Sequence, residues 1–216
     1  MYYSYPFYFK KGYSRVMTVH GMGEVSIEPD TASVMVEVVT QNQQISMAQK
    51  ENANQMNNVI QALLQMGISN ENLQTTAYAI QPLYDYVEGT QVFRTFEVRN
   101  SLEITIHDID LVGAVIDVAI ESGANRVSNI QFMLKNREEH DQLALNDALR
   151  NAQVKAQMIA ESLTISFDPI PIKIVEEKRD EIRPFRLFAA TEDSLSTPIQ
   201  PGQIEIKARV EVQFQY

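Results

Sequence analysis

The chain has 216 residues, 44% of them hydrophobic, with 18 basic and 28 acidic side chains and no cysteine. That is enough for one large domain with a real core, while a net charge of −10 and a sequence pI near 4.8 argue against phosphate backbones and anionic membrane surfaces as partners. Disulfides, thiolate metal sites and cysteine nucleophiles are excluded, and no run of about 18 apolar residues offers a transmembrane helix.

Residues 1–15 read as an aromatic N-terminal arm. The first 13 hold seven of the 18 aromatics. Lys10 and Lys11 follow the apolar part instead of preceding it, so the pattern is not that of a signal peptide. A cytoplasmic location is therefore expected. The arm is either without fixed structure or docks on a neighbour, since tyrosine is an effective interface anchor.

Residues 16–27 form a first strand with Gly21 and Gly23 inside it. These lack the third glycine and the following helix of a nucleotide loop, and they read as sites where another backbone approaches closely. Glu28-Pro-Asp-Thr31 is a turn. Ala32, Val34, Val36 and Val38 alternate along a second strand. Ser46 is the expected N-cap of a first helix, in which Ala53, Met56, Ile60, Leu63 and Leu64 recur at helical spacing.

A long hairpin occupies 72–107, turning at Glu88-Gly89. On its return arm Val92, Phe96, Val98, Leu102, Ile104 and Ile106 share one face, and Thr95, Glu97, Arg99, Ser101, Glu103 and Thr105 the other. Each arm spans on the order of 50 Å, longer than one small core covers. The outer end must twist away or meet another subunit. Tyr78, Tyr84, Tyr86, Phe93 and Phe96 lie on the hairpin, several of them near its tip, and are the candidate interface, with a local cluster as the alternative. Glu97 and Glu103 read as cross-strand salt partners of residues like Arg99.

Asp108 and Asp110 are expected to cap a second helix over Leu111, Val112, Val115, Ile116, Ala119 and Ile120. A strand follows at 125–135. Asn136 and Glu139 have capping-box spacing ahead of a third helix that ends near Leu163. Ala148, Ala152, Ala156, Ile159, Ala160 and Leu163 give it a small-residue stripe suited to close packing. Ile170, Ile172 and Ile174 mark an edge strand carrying Pro169 and Pro171. The connection at 176–201 is long enough to be a functional loop or one without structure. Arg183, Phe185, Arg186 and Phe188 are its candidate partner-binding residues. The last strand alternates Ile204, Ile206, Ala208, Val210, Val212 and Phe214 with polar residues.

The order is β-β-α-β-β-α-β-α-β-β. It implies an α+β fold in which an antiparallel sheet is backed by helices, with a ferredoxin-like split βαβ core and a long protruding hairpin. Residues 16–216 read as a single domain. His20, His107 and His140 have no metal-ligand spacing, and no Gly-x-Ser-x-Gly elbow occurs. No catalytic, cofactor-binding or metal residue is therefore assigned, and no cofactor is expected.

Several stretches carry a resemblance: Gly21-Met-Gly-Glu-Val25 with Pro29-Asp-Thr-Ala32; Asn52-Ala-Asn with Met56; Thr76-Ala-Tyr-Ala-Ile-Gln-Pro-Leu-Tyr-Asp-Tyr86; Asn100-Ser-Leu with Asp108-Ile-Asp; Ser122-Gly-Ala-Asn125 with Ile130 and Phe132; and Ala148 with Lys155-Ala156 and Ala160. Taken in order, they resemble the SIMPL-domain family. That resemblance implies an α+β fold and no agreed enzymatic activity. For the family's periplasmic member it implies assembly into a channel-like ring. The function expected is that of a non-enzymatic, self-associating protein with a stress- or envelope-related role, assembling through its hairpin. The alternatives are a monomeric partner-binding module using 183–188 or the N-terminal arm, and a hydrolase built from distant carboxylates.

Overall fold

The computed structural model describes residues 15–177 and 197–216. The arm residues 1–14 and the proposed partner-binding residues Arg183, Phe185, Arg186 and Phe188 lie outside them. The elements are β1 (Val16–Ile27), β2 (Thr31–Asn42), α1 (Ile45–Gln65), β3 (Leu73–Val87), β4 (Thr90–Ile106), α2 (Val112–Glu121), β5 (Arg126–Met133), α3 (Arg137–Leu163), β6 (Lys173–Glu176) and β7 (Ile204–Gln215). This is the α+β order that the sequence implies. The strands form two antiparallel sheets, β1-β7-β6 and β3-β4-β2-β5. The chain gathers into two compact units. Of the described residues, one holds 15–26, 136–177 and 205–216, and the other 27–135 and 197–204.

In the second unit the order β3-β4-β2-β5 is that of the split βαβ arrangement, with β2 and β4 central. Val34, Val36, Val38, Leu102, Ile104 and Ile106 are sealed beneath Met56, Val59 and Leu63 of α1 and Val112, Val115 and Ala119 of α2. The stripe of α1 sits differently from the reading by helical spacing. Ala48, Asn52, Met56, Val59 and Leu63 are buried, and Ala53 is exposed. The polar Asn52 belongs to the core because its Nδ2 donates to the carbonyls of Val38, at 2.8 Å, and Val98, at 3.2 Å. α1 also begins one residue before Ser46. Gln44 is its N-cap, and the turn into it is set by Asn42 Oδ1, which accepts from the Gln44 amide at 2.9 Å. Asp108 caps a short 3-10 turn, Ile109–Leu111, that leads into α2.

In the first unit α3 lies against β1 through a seam of alanines. Ala144, Ala148, Ala152, Ala156 and Ala160 recur every fourth residue and are buried. Ile159 and Leu163 fall outside the seam and are exposed. Opposite stand Gly21 and Gly23. A Cβ on Gly21 would come 2.0 Å from the Ala148 carbonyl oxygen, and one on Gly23 2.0 Å from that of Ala144. The close approach expected of these glycines is therefore present, with helix backbone as the visitor. At the start of α3 the capping-box pair bonds to itself, with Asn136 Nδ2 donating to Glu139 Oε2 at 3.0 Å. Asn136 makes no side-chain bond to the helix backbone. β6 is shorter than the isoleucine alternation suggested. Ile170 and Ile172 precede it, because Pro169 and Pro171 cannot donate to a ladder.

Candidate functional site

The hairpin β3–β4 turns at Glu88 and Gly89, whose φ values of 50° and 82° suit a two-residue turn. β2 pairs with β4 only as far as Asn42 opposite Phe96. Beyond that point residues 90–95 pair with β3 alone, so the outer end protrudes from the sheet. The register runs from Leu83 opposite Thr95 to Tyr84 opposite Phe93. Arg94 is thus an extra residue, a β-bulge that reverses the facing of the residues between it and the tip. Alternation had placed Val92 with Phe96. The bulge instead puts Phe93 on the Phe96 face and Val92 on the other.

The consequence is that the five aromatic candidates share one face. Tyr78 lies opposite Asn100, Pro82 opposite Phe96, Tyr84 opposite Phe93 and Tyr86 opposite Gln91. Tyr84 and Phe93 meet edge to face at 6.0 Å, and Phe93 and Phe96 tilt together at 5.0 Å. Only Phe96 is half-buried. Tyr78, Tyr84, Tyr86 and Phe93 are 53%, 45%, 76% and 43% exposed. A ring cluster this open is pre-ordered apolar surface.

The reverse face of this sheet is polar and closed on itself. Glu97 is buried and accepts from Gln41 Nε2 at 2.9 Å, Gln81 Nε2 at 3.2 Å and Arg99 at 3.3 Å. Ser33 Oγ donates to Glu103, and Ser101 Oγ to Glu37. Alternating charge had suggested cross-strand salt partners. The cross-strand donors are amides and hydroxyls, and Arg99 lies on the same strand as Glu97. A small cavity of about 70 Å³ sits here, lined by Ala79, Gln81, Glu97 and Arg99.

In the first unit a groove of about 400 Å³ runs between β1 and α3, lined by Thr18, Val19, His20, Lys155, Met158 and Ile159. Lys155 Nζ donates to the His20 carbonyl at 2.7 Å, and the Met22 amide donates to Asn151 Oδ1 at 3.1 Å. These two α3 side chains occupy the open edge of β1. His20 Nδ1 lies 3.2 Å from Glu177. On the outer face of this sheet Lys207 bridges Glu205 at 2.9 Å and Glu24 at 3.8 Å. Hydrogen bonding to Glu205 raises the Glu24 carboxyl above its ordinary value, and the same bond lowers Glu205. A second groove of about 720 Å³ is lined by α3 residues including Gln157 and Ala160 and by Ile165, Phe167 and Pro169.

Two residues read from the sequence as part of a turn and as a strand start, Asp30 and Asn125, prove to be joints. Asp30 Oδ1 accepts from the Lys135 amide at 2.7 Å and from Thr31 Oγ1 at 2.9 Å. Asn125 donates its amide proton to the Glu37 carbonyl. Its side chain donates to the Val39 carbonyl at 2.7 Å and accepts from the Val39 amide at 3.0 Å. It copies a strand pair at the point where β5 begins. The signal for both was a lone Asx residue beside a turn or glycine, which local reading assigns to the turn itself. His107 is exposed and His140 is half-buried. Among the described residues no three His, Cys, Asp or Glu side chains converge as a metal site would require, and no helix is long and apolar enough to cross a membrane.

Comparison with known proteins supplies the family. The profile of the SIMPL family, described as a protein of unknown function (DUF541), matches residues 17–214 and so spans both units. The 26 kDa periplasmic immunogenic protein of Brucella melitensis is 25% identical over 215 residues, covering 92% of this chain and 84% of that protein. The uncharacterized protein YggE of Escherichia coli K12 is 22% identical over 150 residues, covering 69% and 61%. YggE of Edwardsiella ictaluri is 20% identical over 200 residues, covering 90% and 84%. The Brucella relatives, named periplasmic, overturn the expectation of a cytoplasmic protein. That expectation rested on the residue pattern of the first 13 positions.

Proposed function

The chain belongs to the SIMPL family, and from that premise we propose that it is a periplasmic, non-enzymatic protein that self-associates through the aromatic face of its hairpin. The observation that carries this reading is the exposure of Tyr84, Tyr86 and Phe93 on one face of the end where β2 no longer pairs, with Tyr78 exposed on the same face farther in, opposite Asn100. An aromatic side chain buries ~150–250 Å², at ~25 cal/mol per Å². Covering the exposed parts of Tyr84, Tyr86 and Phe93 is therefore worth about 8 kcal/mol per subunit, comparable with the ~4–15 kcal/mol that association costs. The face is a better contact than the strand edge. β3 has Pro82 in its middle and an extra residue at Thr76, and both interrupt edge pairing. The non-enzymatic part is supported by Glu37, Glu97 and Glu103, whose carboxylates are engaged by neighbouring donors within the sheet face.

The test is molar mass by light scattering across a size-exclusion peak, on the full chain and on a Tyr84→Ser/Tyr86→Ser/Phe93→Ser variant. A multiple of 24.6 kDa that collapses to one subunit in a folded variant is expected. A monomeric parent, or a variant of unchanged mass, would remove the reading.

A further inference from the structure

The aromatic tip needs a surface to meet, and two observations select one. The groove between β1 and α3 has an apolar wall of Val19, Met158 and Ile159, and Met158 is 61% exposed. Its volume of about 400 Å³ falls in the ~300–1,000 Å³ range of clefts that take ring-sized groups. A methionine thioether adapts to aromatic rings better than a branched side chain does. Charge supplies the second observation. The lining carries one lysine, Lys155, in a chain whose net charge is −10. An ammonium has three donors, and Lys155 spends one on the His20 carbonyl. The tip carries Glu88, exposed at the turn, while Asp85 is already matched by Arg94 at 3.6 Å. The wide groove lined by Gln157 and Ala160 is a poorer match, because it carries Glu161 and no lysine, whereas Lys155 lines the β1–α3 groove and Glu177 beside it is engaged by His20 at 3.2 Å.

We propose that the hairpin tip of one copy seats in the β1–α3 groove of a second copy. Tyr84, Tyr86 and Phe93 pack on Met158 and Ile159, and Glu88 meets Lys155. The proposal rests on the self-association reading above and adds the receiving surface to it. It makes the contact heterologous: tip and groove are different surfaces, so each subunit both gives and receives.

A complementation experiment separates this from tip-to-tip packing. The tip variant (Tyr84→Ser/Tyr86→Ser/Phe93→Ser) and a groove variant (Met158→Asp) are each measured alone and then mixed in equal amounts. Each alone is expected at 24.6 kDa, and the mixture at twice that, 49.2 kDa. The mixture still holds one intact tip and one intact groove that can meet. A groove variant that assembles like the parent, or a mixture that stays monomeric, would overturn the proposal and leave self-association standing. A monomeric parent would remove both. Because Met158→Asp could disturb α3, a charge swap is run beside it. Lys155→Glu and Glu88→Lys are each expected to shift the assembly midpoint at least tenfold upward in concentration. The double variant should return to the parent value, and failure of that rescue counts against the contact.

Discussion

Replacing Gly21 by alanine tests the packing of α3 directly. The added Cβ would sit 2.0 Å from the Ala148 carbonyl oxygen and 2.9 Å from the Ala152 Cβ, and contacts under 3.0 Å are essentially never tolerated. Helix and strand must therefore separate by about 1 Å, since the obstructing atom is backbone and has no rotamer to change. A gap of that size forfeits a quarter to a half of each dispersion contact along the seam. Five alanine methyls at ~0.8 kcal/mol each make the seam worth about 4 kcal/mol, of which roughly 2 would go. Overpacking strain adds ~1–3 kcal/mol, and the smaller unfolded-state entropy of alanine returns ~0.4–1. The net is about 3 kcal/mol, a large share of a typical ~5–15 kcal/mol stability. Urea unfolding followed by circular dichroism should show the midpoint falling with little change in slope. Ala152→Gly in the same chain should restore little, because the carbonyl of Ala148 remains. A loss under about 1 kcal/mol, or full rescue by Ala152→Gly, would show that the strand does not approach the helix backbone as described.

Two further outcomes hang on single residues. Asn52→Ala leaves the carbonyls of Val38 and Val98 without this donor in a fully buried site, at a cost of about 2 kcal/mol, and Asn52→Asp should cost more because an anion then faces two carbonyl oxygens; equal stability of Asn52→Asp and the parent in chemical denaturation would rule out the clamp. Asp117 is held below its ordinary value by the Thr197 hydroxyl and then by the Thr197 amide; a carboxyl depressed in the folded state stabilises above its unfolded pKa and loses that contribution as pH falls through the lower folded value. The stability difference between parent and Asp117→Ala should accordingly be full well above the ordinary carboxyl range of about pH 4 and shrink progressively as pH falls below it, and a difference that does not shrink on acidification would show that the bond to Thr197 is not its source.

How much of the fold is legible in the sequence depends on the range of the interactions involved. Period-two alternation located β2, β4 and β7 because each has one buried face, and that pattern survives any tertiary arrangement. The same logic failed at Val92, since a bulge is set by how two strands meet and leaves no mark on one strand's alternation. Asn52 was missed because a polar residue in an apolar stripe reads as a helix edge until the carbonyls it serves are placed beside it. The β6 boundary was set by two prolines acting on hydrogen bonds, while the isoleucine pattern ran on without regard to them. Of the candidate site, the five aromatics were identifiable from composition. Their common face was not, because it depends on the Arg94 bulge. The β1–α3 groove had no sequence signal at all, being formed by residues more than 130 positions apart.

The joints and the exposed surface divide the labour in a way that bears on function. Gly21, Asp30, Asn52 and Asn125 each serve backbone groups: a close approach, an amide at a turn, two strand carbonyls, and a copied strand pair. Residues committed in that way join strands, turns and helix, so these four maintain a frame. Within the second unit the hairpin's base is paired with β2 and covered by α1 and α2, while residues 90–95 pair with β3 alone. Rigidity lowers the entropy lost on contact, because the rings of Tyr84, Phe93 and Phe96 are already ordered against one another before any partner arrives. On the proposed reading this pre-ordered apolar surface is what meets a second copy, and the mass of the particle in solution is the measurement that tests it.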